Sequence, residues 1–274
     1  QTQGFKQTET DKLILQDETL DYRVLNLASN TFNENNTAYW HKSVGGYHAA
    51  KLRRYQEMIE EHISDEMQGL YGAVADAGGD MNKLDASEFP VLNMLNTRYF
   101  IFPLQGGQTA PLPNPFALGN AWFVDEVQYV SNANEEIEAI HGLNPQQTAV
   151  VDKKFESIVK SIPSDAMDTI ELVAYEPNYL KYEVDSEKGG TVVFSEIYYP
   201  GWQSTIDGQE AAHGRANYIL RAMNVPAGKH VVEFRFDPKS LHTTETIAFI
   251  ALGLLALLAV VVIVMKIKAC RKVG

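Results

Sequence analysis

An uncharged stretch near the C-terminus places the strongest constraint on what this chain can fold into. Residues 246–265 read TIAFIALGLLALLAVVVIVM and contain no Asp, Glu, Lys or Arg. A helix of roughly 20 apolar residues spans the hydrocarbon core of a bilayer. A helix buried in a soluble protein usually keeps a polar face. The sequence therefore predicts a transmembrane helix over residues 246–265.

The charges that flank this stretch predict its orientation. Four basic residues fall in the tail KIKACRKVG that follows it: Lys266, Lys268, Arg271 and Lys272. Excess Lys and Arg mark the cytoplasmic end of a membrane helix. We therefore expect residues 266–274 to form a cytoplasmic basic tail on a bacterial cytoplasmic membrane protein, with the bulk of the chain extracytoplasmic. Since no signal peptide precedes that bulk, we also expect an upstream transmembrane portion of the same protein.

Composition excludes several classes of site and partner. The formal net charge is -12, and an acidic surface repels phosphate backbones, so no nucleic acid is expected as a partner. Cys270 is the only cysteine, which excludes an internal disulfide and a cysteine zinc site. The histidines are scattered without an HExxH pattern, so we predict no metal site and no cofactor. The oxygen-rich stretch from Asp76 to Asp85 leaves a cation site open, although it lacks EF-hand spacing.

Residues 1–160 mix helical and strand patterns, which predicts a mixed α/β extracytoplasmic domain. Apolar residues recur at three- and four-residue steps after Gly45-Gly46. The pattern predicts a helix from about His48 to Met67, a loop over YGAVADAGGDMNKLDAS, a strand over TRYFIF, one strand over AWFVDEVQYV, and a short helix in ANEEIEAIHGL capped by Asn132 or Asn134.

Residues 161–240 change to short alternating strands separated by Gly-containing turns, which predicts an antiparallel β-sandwich domain. In HVVEFRF the alternation places apolar residues on one face and charges on the other. The predicted fold class is therefore α+β: an N-terminal mixed α/β region, then an antiparallel β-sandwich, then one C-terminal transmembrane helix.

The stretch YYPGWQSTIDGQE carries the first candidate site. Asp207-Gly208 suits a tight hairpin turn after a strand that begins at Trp202. The large aromatic area of Trp202 makes it a candidate core anchor of the sandwich. The alternative is that Tyr198, Tyr199 and Trp202 stack on a sugar ring.

The stretch SVGGYHAAKLRRYQE carries the second candidate site. If the helix starts near the glycines, its N-terminus favours anions, and His48, Lys51 and Arg54 are candidates for binding phosphate. The alternative is a solvated helix face whose cations form salt bridges with the acidic residues that follow, Glu57, Glu60 and Glu61.

Four segments resemble the extracytoplasmic C-terminal part and last membrane helix of the YfhO family of bacterial membrane proteins. They are RVLNLASNTFNENNTAYWHKSVGGYHAAKLRRYQEMIE, VLNMLNTRYFI, NPFALGNAWFVDEV and YYPGWQSTIDGQEAAHGRANYILRAMNVPAGKHVVEFRFDP. Members of that family look like C-type glycosyltransferases, which take a sugar from a polyprenyl-phosphate carrier. The implied catalytic acid belongs to an early extracytoplasmic loop that matches nothing in this sequence, so no catalytic residue is assigned.

Two functions remain open from the sequence. The resemblance implies an accessory region of a polytopic glycosyltransferase, whose partners are the lipid bilayer, a polyprenyl-phosphate sugar and an envelope glycan. The alternative is a non-enzymatic structural or interaction module anchored in the membrane.

Overall fold

The computed structural model describes the backbone of residues 5–273 and the side chains of residues 5–238, 243–265 and 268. The helices are α1 (Glu9–Ile14), α2 (Asn36–Trp40), α3 (Arg53–Met58), α4 (Ser64–Asp76), α5 (Pro90–Met94), α6 (Ala133–Glu138) and α7 (Lys239–Val273). A π-helical segment, Ile59–Ile63, joins α3 to α4.

The first half contains six strands: β1 (Arg23–Asn26), β2 (Thr97–Pro103), β3 (Thr109–Pro113), β4 (Ala121–Val124), β5 (Glu126–Val130) and β6 (Thr148–Asp152). Five of them form two small sheets. β1 pairs parallel with β2, and β3 adds antiparallel to β2. β5 and β6 form a parallel pair of their own.

The second half supplies every strand except β4 of the two antiparallel sheets of the sandwich. Its strands are β7 (Thr169–Glu176), β8 (Tyr179–Ser186), β9 (Gly190–Ile197), β10 (Trp202–Ile206), β11 (Gln209–Glu210), β12 (Gly214–Ala216), β13 (Leu220–Val225) and β14 (Gly228–Phe236). One sheet has the order β11-β10-β14-β8-β7 and the other the order β12-β13-β9-β4. The α+β fold class with its antiparallel sandwich is confirmed.

The sheet β12-β13-β9-β4 is the middle layer of the molecule because both of its faces are buried. On β9, Val192 and Phe194 face the other sandwich sheet and pack against Phe234 of β14. Val193, which points the opposite way, packs with Trp122 into the core of the first half. The division at residues 160 and 161 stays a prediction, and β4 of the first half belongs to this shared sheet.

The predicted helix from His48 to Met67 is wrong at both ends. It begins at Arg53, because Leu52 is still extended with ψ 128° and the chain turns at Ala49 and Ala50. It then runs through the π-helical segment to Asp76, so the first part of the predicted loop is helical. Leu70 and Val74 continue the buried face at four-residue spacing.

The predicted single strand over residues 121–130 is also wrong, because the chain changes sheet at Asp125. β4 pairs with β9, whereas β5 pairs with β6. The N–H of Asp125 donates to the carbonyl of Gln147 at 2.8 Å, which turns the chain toward β6. By contrast, α6 is capped by Asn132, one of the two predicted caps, which accepts from the N–H groups of Asn134 and Glu135.

The apolar C-terminal stretch forms a helix, as predicted. Within α7, Thr243–Met265 is a span of 23 residues, long and apolar enough to cross a membrane, and none of its most apolar window is buried. The prediction of a basic tail falls almost entirely outside the side chains that the structure describes. The side chain of Lys268 is described, whereas those of Lys266, Cys270, Arg271 and Lys272 are not.

Candidate functional site

The chain turns sharply just before α3, in the segment that carries the second candidate site. Gly45 packs so closely on Thr31 that an added Cβ would lie 2.2 Å from the Thr31 carbonyl oxygen. The N–H of Gly46 donates to the same oxygen at 2.7 Å, and its φ of +103° favours glycine. The chain after these glycines is therefore a loop and not the first turn of a helix.

His48 and Lys51 both lie on this loop. The Nδ1 of His48 accepts a hydrogen bond of 3.1 Å from the N–H of Ala50, and its side chain is exposed. The Nζ of Lys51 lies 5.3 Å from the centroid of the Phe32 ring, at cation–π distance. Both residues line the same cleft, where His48 is exposed and Lys51 is half-buried.

This cleft, which we call the loop cleft, has a volume of about 560 Å³. Apolar groups of Val44, Leu52, Tyr55 and Ile197 contribute to its wall, and the Tyr55 hydroxyl donates to the Val44 carbonyl at 2.6 Å. Its lining also contains basic side chains, namely those of Arg23, Lys42, His48 and Lys51. Among the described residues that line it there is no Asp or Glu.

Two of these cations are already held by the protein. Lys42 bridges two carboxylates, with its Nζ 2.8 Å from Asp21 and 2.6 Å from Glu196. Burial opposes ionisation of Glu196, but the nearby Lys42 and Arg23 outweigh it and lower its pKa. The Nη1 of Arg23 donates to the carbonyls of Leu95 and Ser195. His48 and Lys51 are therefore the groups best placed to meet an incoming anion.

Arg54 lies apart from the loop cleft. Its Nη1 is 3.0 Å from the fully buried carboxylate of Glu136, which also pairs with Arg215 at 2.7 Å. Its guanidinium stacks 4.3 Å from the centroid of the Tyr218 ring. The structure thus brings together His48 and Lys51 but not Arg54, and a phosphate-binding role of all three stays a prediction.

Of the three aromatic candidates of the first site, Tyr198 packs apart from Tyr199 and Trp202, which both lie against Phe236. Tyr198 packs edge-on against Phe155, with ring centroids 5.7 Å apart. The Trp202 ring packs against Phe236 at 5.5 Å, with the guanidinium of a buried arginine 4.0 Å above it. Tyr199 is 45% exposed. The contacts of Trp202 fit a core anchor, and sugar stacking by these residues stays a prediction.

The arginine that covers Trp202 is Arg221, which sequence reasoning missed. It is only 1% exposed, and its Nε donates to the Ile197 carbonyl at 3.2 Å. Burial is the main cause that lowers its pKa to about 10. A signal existed, because Arg221, Met223 and Val225 occupy alternate positions of one strand and so face the same core.

Carboxylates of the oxygen-rich stretch form hydrogen bonds within local turns. Asp80 accepts from the N–H of Asn82, and Asp85 accepts from the N–H of Ser87, so both carboxylates start short 3-10 turns. Asp76 ends α4 instead. Within the part of the chain that the structure describes, no three His, Cys, Asp or Glu residues are arranged to hold a metal ion.

Comparison with known proteins gives one match. The family model described as "Bacterial membrane protein YfhO" matches residues 141–265, which include β6, the sandwich strands β7 to β14 and most of α7. No curated protein and no solved structure matches the chain.

Proposed function

Because residues 141–265 belong to the YfhO family of bacterial membrane proteins, we propose that this chain is the extracytoplasmic accessory region of a membrane glycosyltransferase. In this proposal the sugar donor is linked to a polyprenyl phosphate, and the acceptor is a cell-envelope glycan. The accessory region holds the phosphate of the donor close to the membrane surface while the catalytic portion acts. The chain itself has a membrane-associated role.

The loop cleft is the observation that carries the proposal. The whole chain has a formal net charge of -12, yet the described lining of this cleft is basic and apolar without a carboxylate. Such a surface attracts an anion while giving apolar contact to the lipid that bears it. Lys51 and His48 supply the charge and hydrogen-bond donors, and Tyr55 and Leu52 supply the apolar wall.

The position of the loop cleft along the chain also supports a lipid-linked ligand. Ile197 lines the cleft and stands four residues before Gly201, which contacts Pro238 directly before α7. Four extended residues span at most about 14 Å. The cleft is therefore within a short distance of the point where the apolar helix starts, as a carrier anchored in the bilayer requires.

The proposed sidedness follows from the charges of the tail. Lys266, Lys268, Arg271 and Lys272 follow the apolar span directly. By the excess of positive charge, this end lies in the cytoplasm and the loop cleft lies outside.

Photolabelling of the whole chain tests the donor site. The protein is reconstituted in phosphatidylcholine nanodiscs with a diazirine-bearing polyprenyl monophosphate, and the labelled peptides are identified by mass spectrometry. We expect label on the segment that contains Leu52 and Tyr55. Lys51→Gln should lower that labelling by about threefold, the effect expected of one exposed ion pair.

Lys229→Gln is the matched control, because Lys229 is an exposed cation at the far end of β14. It should leave the labelling unchanged. The donor site would be refuted by label confined to α7, or by equal loss in both variants. Equal labelling by a neutral polyprenol carrying the same diazirine would favour the anchored, non-enzymatic module instead.

A further inference from the structure

The residues directly before the membrane helix and the YYPGW stretch are packed against each other. An added Cβ on Gly201 would lie 2.9 Å from the Cβ of Pro238 and 3.1 Å from the Phe236 ring. The side-chain amide of Gln203 donates to the Asp237 carbonyl at 3.1 Å. The end of β14 and the loop before β10 are therefore joined by direct contacts at one point, and α7 begins next to it.

Three aromatic rings surround this point, and we call them the root aromatics: Tyr199, Trp202 and Phe236. The rings of Tyr199 and Phe236 lie 6.1 Å apart, and those of Trp202 and Phe236 lie 5.5 Å apart. Tyr199 is 45% exposed, and the other two are half-buried. Tyr199 thus packs against Phe236 and keeps an exposed ring face.

We propose that the root aromatics lie in the headgroup layer of the bilayer and set the height of the sandwich above the membrane. Tyrosine and tryptophan favour this layer because each has an apolar body and a polar tip. The partner is the phospholipid surface itself. This role is independent of sugar transfer and would hold equally for an anchored module.

The length of chain before the apolar span places these rings at the required depth. Pro238 stands five residues before Thr243, where the helical span begins, and eight residues before Thr246, where its uncharged stretch begins. Five to eight helical residues rise about 8–12 Å. The polar layer of one leaflet is roughly 5–8 Å thick, so groups level with Pro238 lie at its outer edge, and tilt of α7 brings them deeper.

A lipid partner is favoured over a sugar because of how the rings are presented. Trp202 is covered by Arg221 on one side, at 4.0 Å, and by Phe236 on another. Tyr198 turns away to pack on Phe155. These contacts leave Tyr199 as the ring with the largest exposed face among the three sugar-stacking candidates, and it lies near Phe236, three residues before α7 begins.

Spin labelling of the whole chain in nanodiscs tests the proposal. In a Cys270→Ser background, a nitroxide is placed at Tyr199→Cys and, as the matched control, at Lys229→Cys. Lys229 lies seven residues from Phe236 along β14, roughly 23 Å away. Collision rates with oxygen and with a water-soluble nickel chelate give the depth of each label.

We expect the label at position 199 to lose most of its nickel collisions relative to position 229, and to gain oxygen collisions. Circular dichroism of each labelled protein confirms that it is folded. Nickel collisions at 199 as frequent as at 229 would overturn the proposal. So would protection of position 199 by added envelope glycan but not by the bilayer, because that result assigns Tyr199 to sugar binding.

Discussion

The backbone N–H of Asp237 donates a hydrogen bond of 2.9 Å to the carbonyl oxygen of Gly201. This bond ties the last residue before Pro238 to the loop that enters β10. Because β10 and β14 are also paired along Trp202–Ile206, the sandwich and the membrane helix are joined through two strands and not through one flexible linker. Orientation of the sandwich on the membrane should therefore depend on this junction.

Gly201→Ala should destabilise the junction. Gly201 has φ +102°, which an L-residue adopts only with strain, and the new methyl group would meet Pro238 and the Phe236 ring. We expect a loss of about 2–3 kcal/mol in the free energy of unfolding of the sandwich, from strain and overpacking together. Chemical unfolding monitored by circular dichroism measures it.

Gly208→Ala is the control for strain alone. Gly208 has φ +78° in the hairpin turn, and no atom lies within 4 Å of an added Cβ. Gly208→Ala should lower the free energy of unfolding by about 1 kcal/mol. Equal losses in the two variants would mean that contact with Pro238 contributes nothing.

The buried carboxylate of Glu136 should contribute to the stability of the fold. It is fully buried and holds both Arg54 and Arg215. Glu136→Gln should cost about 3 kcal/mol of unfolding free energy, because it removes the buried carboxylate that the two guanidinium groups share and leaves Arg215 only its longer contact of 3.6 Å with Asp152. The exposed neighbour Glu138→Gln should change stability by less than about 0.5 kcal/mol. Similar midpoints of thermal unfolding for the two variants would contradict this account.

Several local features were predictable because they depend on neighbouring residues alone. The uncharged span, the Asn132 cap and the Asp207-Gly208 turn belong to this group. Asp207 and Gly208 adopt φ of +50° and +78°, the left-handed pair that a tight hairpin needs. The alternation in β14, with Val232 and Phe234 buried, was predicted for the same reason.

Other features depend on contacts between distant residues, which a periodic pattern does not contain. The start of α3 is delayed by the approach of Gly45 to Thr31. The break at Asp125 depends on Gln147, which follows α6. The loop cleft unites Lys51 with Lys42 and with Ile197 of β9, and only the fold brings these residues together.

The raised pKa of Glu66 predicts that the free energy of unfolding falls at higher pH. Its carboxylate accepts from the N–H groups of Val91 and Leu92, each at 2.9 Å, but burial outweighs these bonds and raises its pKa to about 8. The folded state therefore keeps a proton that the unfolded state releases near pH 4.5. Stability should decrease as pH rises from about 4.5 to about 8.

Glu66→Gln checks this assignment. Because the amide does not titrate, the variant should lose much of the difference between unfolding midpoints measured at pH 5 and pH 8. A variant that retains the full wild-type difference would show that Glu66 does not cause it.

The lowered pKa of His213 predicts the opposite dependence, because here the free energy of unfolding falls at lower pH. Burial, reinforced by the charge of Arg221, lowers its pKa from 6.5 to about 4. Its Nδ1 lies 2.7 Å from the Ser204 hydroxyl, and its ring packs on Phe234 with centroids 5.2 Å apart. Below pH 6.5 His213 takes up a proton in the unfolded state but stays neutral in the folded state. The free energy of unfolding should therefore fall as pH decreases from 6.5 toward 4.

His213→Gln should flatten stability between pH 4 and 6.5, measured by denaturant midpoints. His230→Gln serves as a control of opposite sign: hydrogen bonding to Asp207 raises the pKa of His230, so its contribution is present below pH 6.5 and is lost as pH rises through that higher pKa. If His213→Gln left the acid slope intact while lowering stability equally at every pH, the ring would be acting through packing on Phe234 and not through its charge.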